Sequence, residues 1–378
     1  MKDLMDGNTA AAWAVKLARV KCVPCFPITP QTELIETLAK WKSEGKWNGE
    51  FRTMESEHGV LAAALGAEMT GARTFTATSS QGLELMHEIL PIVSGTRNPL
   101  VMANVSRGIS APITLWSDHN DFLSVRDCGW LMFCCETNQE VLDTIIMAYK
   151  ISENKNVLLP SLVNMDGFIH SYTRMEVDIP DQKKIDKFLP KLNLKIKVDV
   201  DNPLSLGVPV MDEYSFFRVN LHKAQLNALH VIKKVQKEWA KFTKRKYDLV
   251  ESYKLSDADV ALVGMGANAT VMKAAIDSLR NKGIRAGLLR LRVIRPLPKD
   301  EIYNMLKDIK KIAVIDQNIS PGIGGIMFPE IKSCLYDSDA IVCNYVAGLG
   351  GKPISQQIYE KFALETLKTK KPFRKFVI

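Results

Sequence analysis

Three short polar segments in the first third of the chain combine side chains that could bind and activate a small acid. They read FPITP at 26–30, MESEH at 54–58 and SRGISAP at 106–112. Each follows an apolar run, and together they offer the hydroxyl of Thr29, the carboxylate of Glu57 and the guanidinium of Arg107. In open parallel α/β sheets, ligands bind in the turns after the carboxyl ends of the strands. The combination predicts a small carboxylate-bearing substrate held beside an acid that activates a cofactor.

Taken singly, the three side chains differ in how strongly each indicates a binding or catalytic role. Arg107 directly follows a predicted buried strand, and arginine binds a carboxylate through a planar fork, although a plain surface arginine fits as well. Glu57 begins an Ala-rich helix that should bury it, and a buried carboxyl readily shares a proton with a ring nitrogen. The alternative for Glu57 is a cap on the first helical turn. Thr29, between two prolines in a rigid turn, indicates nothing by itself.

Alternating strand and helix patterns fill roughly the first 175 residues and predict a parallel sheet with helices on both faces. The apolar runs predict strands at 21–26, 51–54, 74–78, 100–105, 129–135 and 157–163. The helical spacing of apolar residues predicts helices at 9–20, 30–41, 58–70, 82–93 and 139–151. These lengths are typical of a doubly wound α/β domain.

The second half of the chain predicts a bridge and a smaller α/β domain. Prolines and Lys/Asp clusters suggest an irregular excursion at 166–210, followed by a long charged helix at 221–247. Strands are then predicted at 260–263, 286–291, 312–315 and 340–343, with helices at 270–281, 299–307 and 326–335. The predicted division is a first domain at 1–220, a helical bridge at 221–256 and a second domain at 257–378.

Composition excludes several classes of protein. A chain of 378 residues predicts two domains. The absence of an apolar run of about 18 residues and of a signal-peptide pattern predicts a cytoplasmic protein without a membrane partner. The net charge of +8 is diffuse and has no aromatic interleaving, which argues against nucleic acid. The seven cysteines lie mostly in apolar runs and are expected to be reduced, Cys22 and Cys25 among them.

Two further patterns suggest other chemistry less strongly. GMGANA at 264–269 matches the dinucleotide fingerprint, but Arg290 and Arg292 occupy the region where its acid is expected. A tight strand-to-helix turn is the preferred interpretation, and a nicotinamide-linked dehydrogenase is an alternative. His119 lies in the polar loop WSDHND at 116–121, where a hydrogen-bonded loop is expected rather than a metal site. The glycine-rich turn at 348–351 fits close packing or an approach to phosphate.

The chain resembles the alpha subunit of the four-subunit pyruvate:ferredoxin oxidoreductase (pyruvate synthase) family, which uses thiamine diphosphate. The segments that carry the resemblance are FPITPQT at 26–32, ESEHGVLAAA at 55–64, TATSSQGL at 76–83, RGISAPITLWSDHNDFLSVRD at 107–127 and GLGGKPI at 348–354. They span most of both predicted domains. The resemblance implies a pyrimidine-binding thiamine-diphosphate domain followed by a transketolase C-terminal-like domain.

The resemblance also implies roles for residues and partners. Thr29 and Arg107 would bind the carboxylate of the 2-oxoacid, and Glu57 would contact the cofactor's aminopyrimidine N1′. A beta subunit would hold the diphosphate, Mg²⁺ and a [4Fe-4S] cluster. A delta subunit would carry two further clusters, and a gamma subunit would contribute to the binding of coenzyme A, the co-substrate. Ferredoxin would accept the electrons, and no metal ligand is expected in this chain.

Two positions depart from the family pattern and keep alternatives open. Phe26 stands where tyrosine is frequent, and His58 stands where a small residue is frequent. A branched-chain 2-oxoacid or 2-oxoglutarate is therefore an alternative substrate. A non-catalytic scaffold subunit is the alternative from another class of protein.

Overall fold

Strands and helices alternate along both halves of the protein, whose computed structural model describes residues 1–203 and 212–378. The strands of the first half are β1 (Lys2–Met5), β2 (Cys22–Cys25), β3 (Glu50–Thr53), β4 (Phe75–Thr78), β5 (Val101–Ser106), β6 (Leu131–Cys134), β7 (Ser161–Asp166) and β8 (Met175–Asp178). Its helices are α1 (Gly7–Leu17), α2 (Thr32–Ser43), α3 (Glu57–Met69), α4 (Gln81–Leu85), α5 (Leu90–Gly95), α6 (Asn120–Ser124), α7 (Asn138–Ser152), α8 (Ile169–Tyr172), α9 (Gln182–Phe188) and α10 (Asp212–Thr243).

The second half continues the same alternation. Its strands are β9 (Val250–Tyr253), β10 (Val260–Met265), β11 (Ala286–Leu291), β12 (Val293–Arg295), β13 (Lys311–Asp316), β14 (Ile341–Ala347) and β15 (Arg374–Val377). Its helices are α11 (Ala269–Asn281), α12 (Lys299–Leu306), α13 (Met327–Cys334) and α14 (Gln356–Lys368). None of the helices in the described residues is both long and apolar enough to cross a bilayer.

The first sheet brings the carboxyl ends of its strands to one edge. The strand order is β12-β6-β7-β5-β4, and all neighbours are parallel except β12. The parallel pair β2-β3 adjoins β4 through a parallel bridge between Cys22 and Thr74. The turns after β2, β3, β4 and β5 therefore lie at the same edge.

The second sheet has the order β15-β14-β13-β10-β11-β9 and is parallel except for β9. One strand of the second half joins the sheet of the first half. Strand β9, within the predicted bridge at 221–256, pairs with β11, while β12 leaves the second half to pair with β6. The two halves are thus joined by backbone hydrogen bonds as well as by side chains.

Alternating side chains fill separate cores on the two faces of the first sheet. Along β5, Val101, Ala103 and Val105 join the core that contains α1 and α7, whereas Met102 points to the other face. That second core also contains residues of β10, β13, α12 and α13, so it lies between the two sheets. The doubly wound α/β class predicted from the sequence is confirmed.

The predicted helix at 82–93 is wrong, because the structure divides it into α4 and α5. Pro91 lies in the first turn of α5. Proline lacks an N–H group and is tolerated in the first turn of a helix but not in its interior. A new helix therefore begins there.

The irregular excursion predicted at 166–210 is also wrong in part. Residues 166–203 contain α8, β8 and α9. Strand β8 pairs antiparallel with β1, with Lys2 opposite Asp178, so the strand forms through a partner from the other end of the domain. The part of this prediction at 204–210 lies outside the described residues. The long helix predicted from residue 221 begins at Asp212.

A buried ion cluster explains the two arginines that follow the glycine turn at 264–269. Both Arg290 and Arg292 bind the carboxylate of Glu140 on α7, at 3.0 Å and 2.5 Å. Burial alone would raise the pKa of Glu140, but the two guanidinium charges lower it to about 2. These arginines therefore join the two halves of the protein.

Replacing Glu140 by alanine is expected to lower the free energy of unfolding by about 3–5 kcal/mol, because the buried Arg292 loses its counter-ion while Arg290 keeps only Glu251 and Glu136. The folded-state pKa of Glu140 is depressed. Its contribution is therefore fully present above the unfolded-state pKa of about 4.3 and is lost as the pH falls towards 2. Denaturant unfolding at pH 7 and at decreasing pH checks both points. Glu176→Ala, which breaks an exposed pair with Lys2, should cost less than about 1 kcal/mol; an equal loss would contradict the assignment.

Candidate active site

The four turns at the carboxyl edge of the first sheet bring the predicted site residues together. Thr29 follows β2, Glu57 follows β3, and Arg107 follows β5 directly. The fourth turn, after β4, carries Ser79, Ser80 and Gln81, which sequence reasoning did not assign to the site. The sequence did contain a signal for these three residues, because they directly follow the strand predicted at 74–78, which ends at the same edge.

Glu57 is the first residue of α3 and is 7% exposed. The preceding Ser56 caps the helix by accepting a hydrogen bond from the N–H of Gly59 at 3.4 Å. The carboxyl group lies over Gly82, where a Cβ atom would meet Oε1 of Glu57 at 2.6 Å and also Oγ1 of Thr78. Capping is thus the task of Ser56, which leaves the Glu57 carboxyl free for other chemistry.

Arg107 is held by two acceptors on different nitrogens. Its Nη1 donates to the backbone oxygen of Thr29 at 2.7 Å, and its Nη2 donates to Oε1 of Gln81 at 2.9 Å. The side chain is 8% exposed, and burial lowers the pKa of the guanidinium, opposed by the negative charges of Asp121 and Glu57. Arginine nevertheless remains protonated at neutral pH, so a fixed positive charge lies near the Glu57 carboxyl.

The side chain of Thr29 is exposed, and its backbone oxygen makes the contact with Arg107. The predicted hydroxyl therefore lies at the open side of the turn, while the peptide group orients the arginine. His58, which follows Glu57, is exposed and its Nε2 lies 3.0 Å from Oε2 of Glu88. Phe26 packs against the core shared by the two sheets.

Asp121 connects the turns after β4 and β5. This fully buried carboxylate accepts hydrogen bonds from the backbone N–H groups of Ser80 at 2.9 Å and Arg107 at 3.0 Å. It also accepts from the hydroxyl of Ser106 at 2.6 Å and from the amide of Asn104 at 3.2 Å. Burial raises the pKa of Asp121, and these donors oppose that effect. No periodic pattern in the sequence reveals this role, which depends on the path of the loop at 107–120.

The loop at 114–119 packs against the second half of the protein. Oδ2 of Asp118 accepts from the backbone N–H of Gly350 at 2.9 Å, and burial raises the pKa of Asp118 to about 6. Gln317, after β13, donates to the backbone oxygen of Ser117 at 3.1 Å. The glycine-rich turn at 348–351 is therefore used in packing against this loop.

His119 fills the turn at 264–269. Gly266 has a φ of +70°, and a Cβ atom there would lie 2.9 Å from Nε2 of His119. Burial lowers the pKa of His119 to about 4. Within residues 1–203 and 212–378, no group of three or more His, Cys, Asp or Glu side chains could hold a metal ion.

Several buried polar atoms around the site fit an absent ligand. Among the described residues, Thr78 Oγ1, Ser79 Oγ, Gln81 Nε2 and Arg107 Nε have no hydrogen-bond partner. Leaving a buried donor or acceptor unpaired costs about 1–3 kcal/mol each, and such groups are rare in native proteins. Their concentration in two adjoining turns, beside Glu57, indicates a polar ligand at this edge.

Replacing Gly82 by alanine should displace the Glu57 carboxyl and lower turnover by about 100-fold, the order expected for a displacement of about 1 Å at a reacting group. The expected result rests on the overlap of the new Cβ with Glu57 and Thr78. The measurement is the 2-oxoacid-dependent reduction of a low-potential dye that the family resemblance implies. Gly95→Ala is the control, because no atom of the described residues outside its immediate surroundings lies within 4 Å of that Cβ position. Equal turnover in the two variants would show that Gly82 does not support the site.

Two solved structures share the fold. A 2-oxoglutarate:ferredoxin oxidoreductase from Magnetococcus marinus, with 2-oxoglutarate, coenzyme A and succinyl-CoA bound, is similar with a TM-score of 0.75 at 17% identity; the match covers 97% of this chain and 65% of that chain. A split-gene transketolase, an inactive beta4 tetramer, gives 0.58 at 11% identity, covering 97% and 99%. The chain therefore has a transketolase-like α/β fold.

Sequence similarity defines the family. A family model described as "Pyruvate flavodoxin/ferredoxin oxidoreductase, thiamine diP-bdg" matches residues 13–237, and one described as "Pyruvate:ferredoxin oxidoreductase core domain II" matches 258–358. Pyruvate synthase subunit PorA of Methanocaldococcus jannaschii is 46% identical, over 93% of this chain and 91% of its own. Ketoisovalerate oxidoreductase subunit VorA of Pyrococcus horikoshii is 42% identical, over 93% and 90%. The chain belongs to the pyruvate:ferredoxin oxidoreductase family that these two models describe. It is the alpha subunit of a 2-oxoacid:ferredoxin oxidoreductase. The resemblance carried by the five sequence segments is confirmed.

Proposed function

We propose that this chain forms the pyrimidine-binding half of a thiamine diphosphate site in a pyruvate:ferredoxin oxidoreductase. The complex would convert pyruvate and coenzyme A reversibly to acetyl-CoA and CO₂, with electrons passing to ferredoxin. One observation carries the proposal: a guanidinium fixed between Thr29 and Gln81 lies at the strand edge where the Glu57 carboxyl is buried. A positive fork for a carboxylate and a separate acid for a cofactor are thus available together.

The residues at this edge fit the cofactor. Glu57 would hold the aminopyrimidine N1′ and share a proton with it. The hydroxyls of Thr78 and Ser79, which have no partner among the described residues, offer further polar contacts in the adjoining turn. When bound, thiamine diphosphate supplies the electron sink for decarboxylation of a 2-oxoacid. Burial of the Glu57 carboxyl keeps water away from the proton that it shares.

Arg107 would bind the carboxylate of the 2-oxoacid through the N–H groups that its protein contacts leave free. Two of its five donors are used by Thr29 and Gln81, which leaves three for the substrate. Thr29 would add its exposed hydroxyl at the open side. The effect is chiefly one of orientation, because a substrate fixed by its carboxylate presents its keto carbon in one direction.

Partner subunits would complete the site. We propose that a beta subunit holds the diphosphate, Mg²⁺ and a [4Fe-4S] cluster, that a delta subunit carries further clusters and that a gamma subunit contributes to coenzyme A binding. The arrangement of the cysteines supports clusters elsewhere. A cluster needs four cysteine ligands brought together, whereas the described residues hold no group of three or more His, Cys, Asp or Glu side chains that could bind a metal.

A branched-chain 2-oxoacid is the second candidate substrate. It is favoured by relatives named for ketoisovalerate, which are 42% identical to this chain, against 39–46% for those named for pyruvate synthase. The two acids share the carboxylate and keto group that Arg107 and the cofactor would engage. They differ only in the side chain beyond the keto carbon.

The test is turnover of the natively purified complex on separate acids. Dye reduction that depends on both coenzyme A and the 2-oxoacid is measured with pyruvate, 3-methyl-2-oxobutanoate and 2-oxoglutarate. We expect kcat/KM to be highest for pyruvate. A higher value for 3-methyl-2-oxobutanoate would assign the branched-chain activity instead. No reduction with any acid, in a complex that binds thiamine diphosphate, would contradict the proposed function.

A further inference from the structure

A hydrogen-bonded chain of side chains and backbone groups fixes the orientation of Arg107. Gln81 lies at the start of α4 and presents Oε1 to Nη2 of Arg107 at 2.9 Å. The hydroxyl of Ser80 lies 2.7 Å from the same Oε1 and also 2.7 Å from the backbone oxygen of Gly108. The contacts run from the turn after β4 to the turn after β5.

The orientation of the Gln81 amide follows from these neighbours. A guanidinium N–H can only donate, so the amide atom that faces Arg107 must be the oxygen. The amide nitrogen is then directed away from Arg107, where it is buried without a partner among the described residues. The glutamine is therefore held in one orientation by the arginine, and the arginine in turn is held by the glutamine.

Gln81 and Thr29 restrain the guanidinium at two separate nitrogens. One acceptor would leave the planar group free to rotate about that contact, whereas acceptors on Nη1 and Nη2 fix its plane. Fixing a donor fork before the substrate arrives removes part of the entropy cost of binding. The backbone of Arg107 is already set by Asp121, and the side chain is set by the backbone oxygen of Thr29 together with the side-chain acceptor of Gln81.

We propose that Gln81 is a positioning residue, which holds the Arg107 guanidinium in the orientation that binds the substrate carboxylate. This rests on the proposed function of Arg107. Through its Oε1, Gln81 acts on the arginine, so its removal should weaken binding of the 2-oxoacid while leaving the coenzyme A site unaffected. The turn that carries it is fixed independently by the hydrogen bond from the Ser80 N–H to Asp121.

The test is a double-mutant cycle of Gln81→Met and Arg107→Met in the assembled complex. A hydrogen bond to a charged group contributes a factor of about 10 to 100, so Gln81→Met alone should raise KM for pyruvate by at least about 10-fold. The KM for coenzyme A should stay within about twofold of wild type. In the Arg107→Met background, Gln81→Met should add less than about twofold, because coupled residues are not additive.

Gln139→Met is the matched control. Gln139 makes comparable hydrogen bonds, to the N–H of Asp178 at 2.7 Å and to Asp143 at 2.9 Å, but it lies on α7. The KM of the Gln139→Met variant for pyruvate should equal that of wild type. If Gln81→Met does not assemble, Gln81→Ala removes the same acceptor without a steric demand, and the same cycle is measured with it.

Two results would overturn the proposal. One is a wild-type KM for pyruvate in the Gln81 variant, and the other is the same multiplicative effect in the presence and absence of Arg107. Both require an active wild-type complex. A wild-type complex that turns over none of the 2-oxoacids would instead contradict the proposed function, so the two failures are distinguishable.

Discussion

Glu57→Gln is expected to lower 2-oxoacid-dependent dye reduction by about 10²–10⁴-fold, the range that a positioned proton-transfer group contributes. Glutamine keeps the shape of the side chain and its place at the start of α3. Its amide, however, cannot share a proton with a ring nitrogen. The loss should therefore appear in kcat, with a normally assembled complex. Turnover is measured at saturating 2-oxoacid, coenzyme A and thiamine diphosphate.

Glu68→Gln offers a control on the same helix. Glu68 is also buried, at the opposite end of α3, and burial raises its pKa to about 8. The carboxyl is therefore largely protonated at pH 7, and glutamine replaces it with little change in charge. We expect nearly wild-type turnover for Glu68→Gln. A similar loss in both variants would indicate that Glu57 acts through the stability of α3 and not through its proton.

Arg107→Lys is expected to raise KM for the 2-oxoacid by about 100-fold. Lysine keeps the positive charge but cannot offer the planar fork or satisfy Thr29 and Gln81 in the same geometry. The KM for coenzyme A should change by less than about twofold. Steady-state kinetics with each substrate varied in turn checks the split.

Arg19→Lys is the control. It makes the same conservative change at another arginine that binds its partner through two nitrogens. Arg19 forms an exposed pair with Asp186 on the surface, so both Michaelis constants should equal those of wild type. If Arg107→Lys raised the two constants by the same factor, Arg107 would be a structural residue, and the carboxylate would have to be bound by another group.

The sequence predicted the parts of the fold that local patterns determine. The apolar runs at 100–105 and 260–263 are buried on both faces of a sheet, and such strands need no partner to be recognised. The Ala-rich segment after residue 57 forms α3 as predicted. Since parallel strands end at one edge, the meeting of the turns that carry Thr29, Glu57 and Arg107 followed from the strand assignments alone.

Two of the missed strands depend on distant partners. Strand β1 forms because β8 pairs with it, and the three-residue β12 forms on the edge of the other half's sheet. β12 has too few residues to carry a periodic signal, and β1, with the sequence KDLM, contains no apolar run. The site residues that the sequence analysis missed were missed for the same reason. Asp121 acquires its role only when its loop returns to the ends of β4 and β5. Glycine at position 82 is likewise explained only by the Glu57 carboxyl above it.

A structure of the assembled complex with thiamine diphosphate and the 2-oxoacid bound tests the central claim most directly. The claim is that this chain supplies both the acid for the cofactor and the fork for the substrate. The predicted result is a Glu57 carboxyl oxygen about 2.6–3.2 Å from the aminopyrimidine N1′, the distance needed for proton sharing. The Arg107 guanidinium should lie within hydrogen-bond distance of the substrate carboxylate. A cofactor whose pyrimidine is held by another chain, with Glu57 and Arg107 contacting neither cofactor nor substrate, would contradict the account.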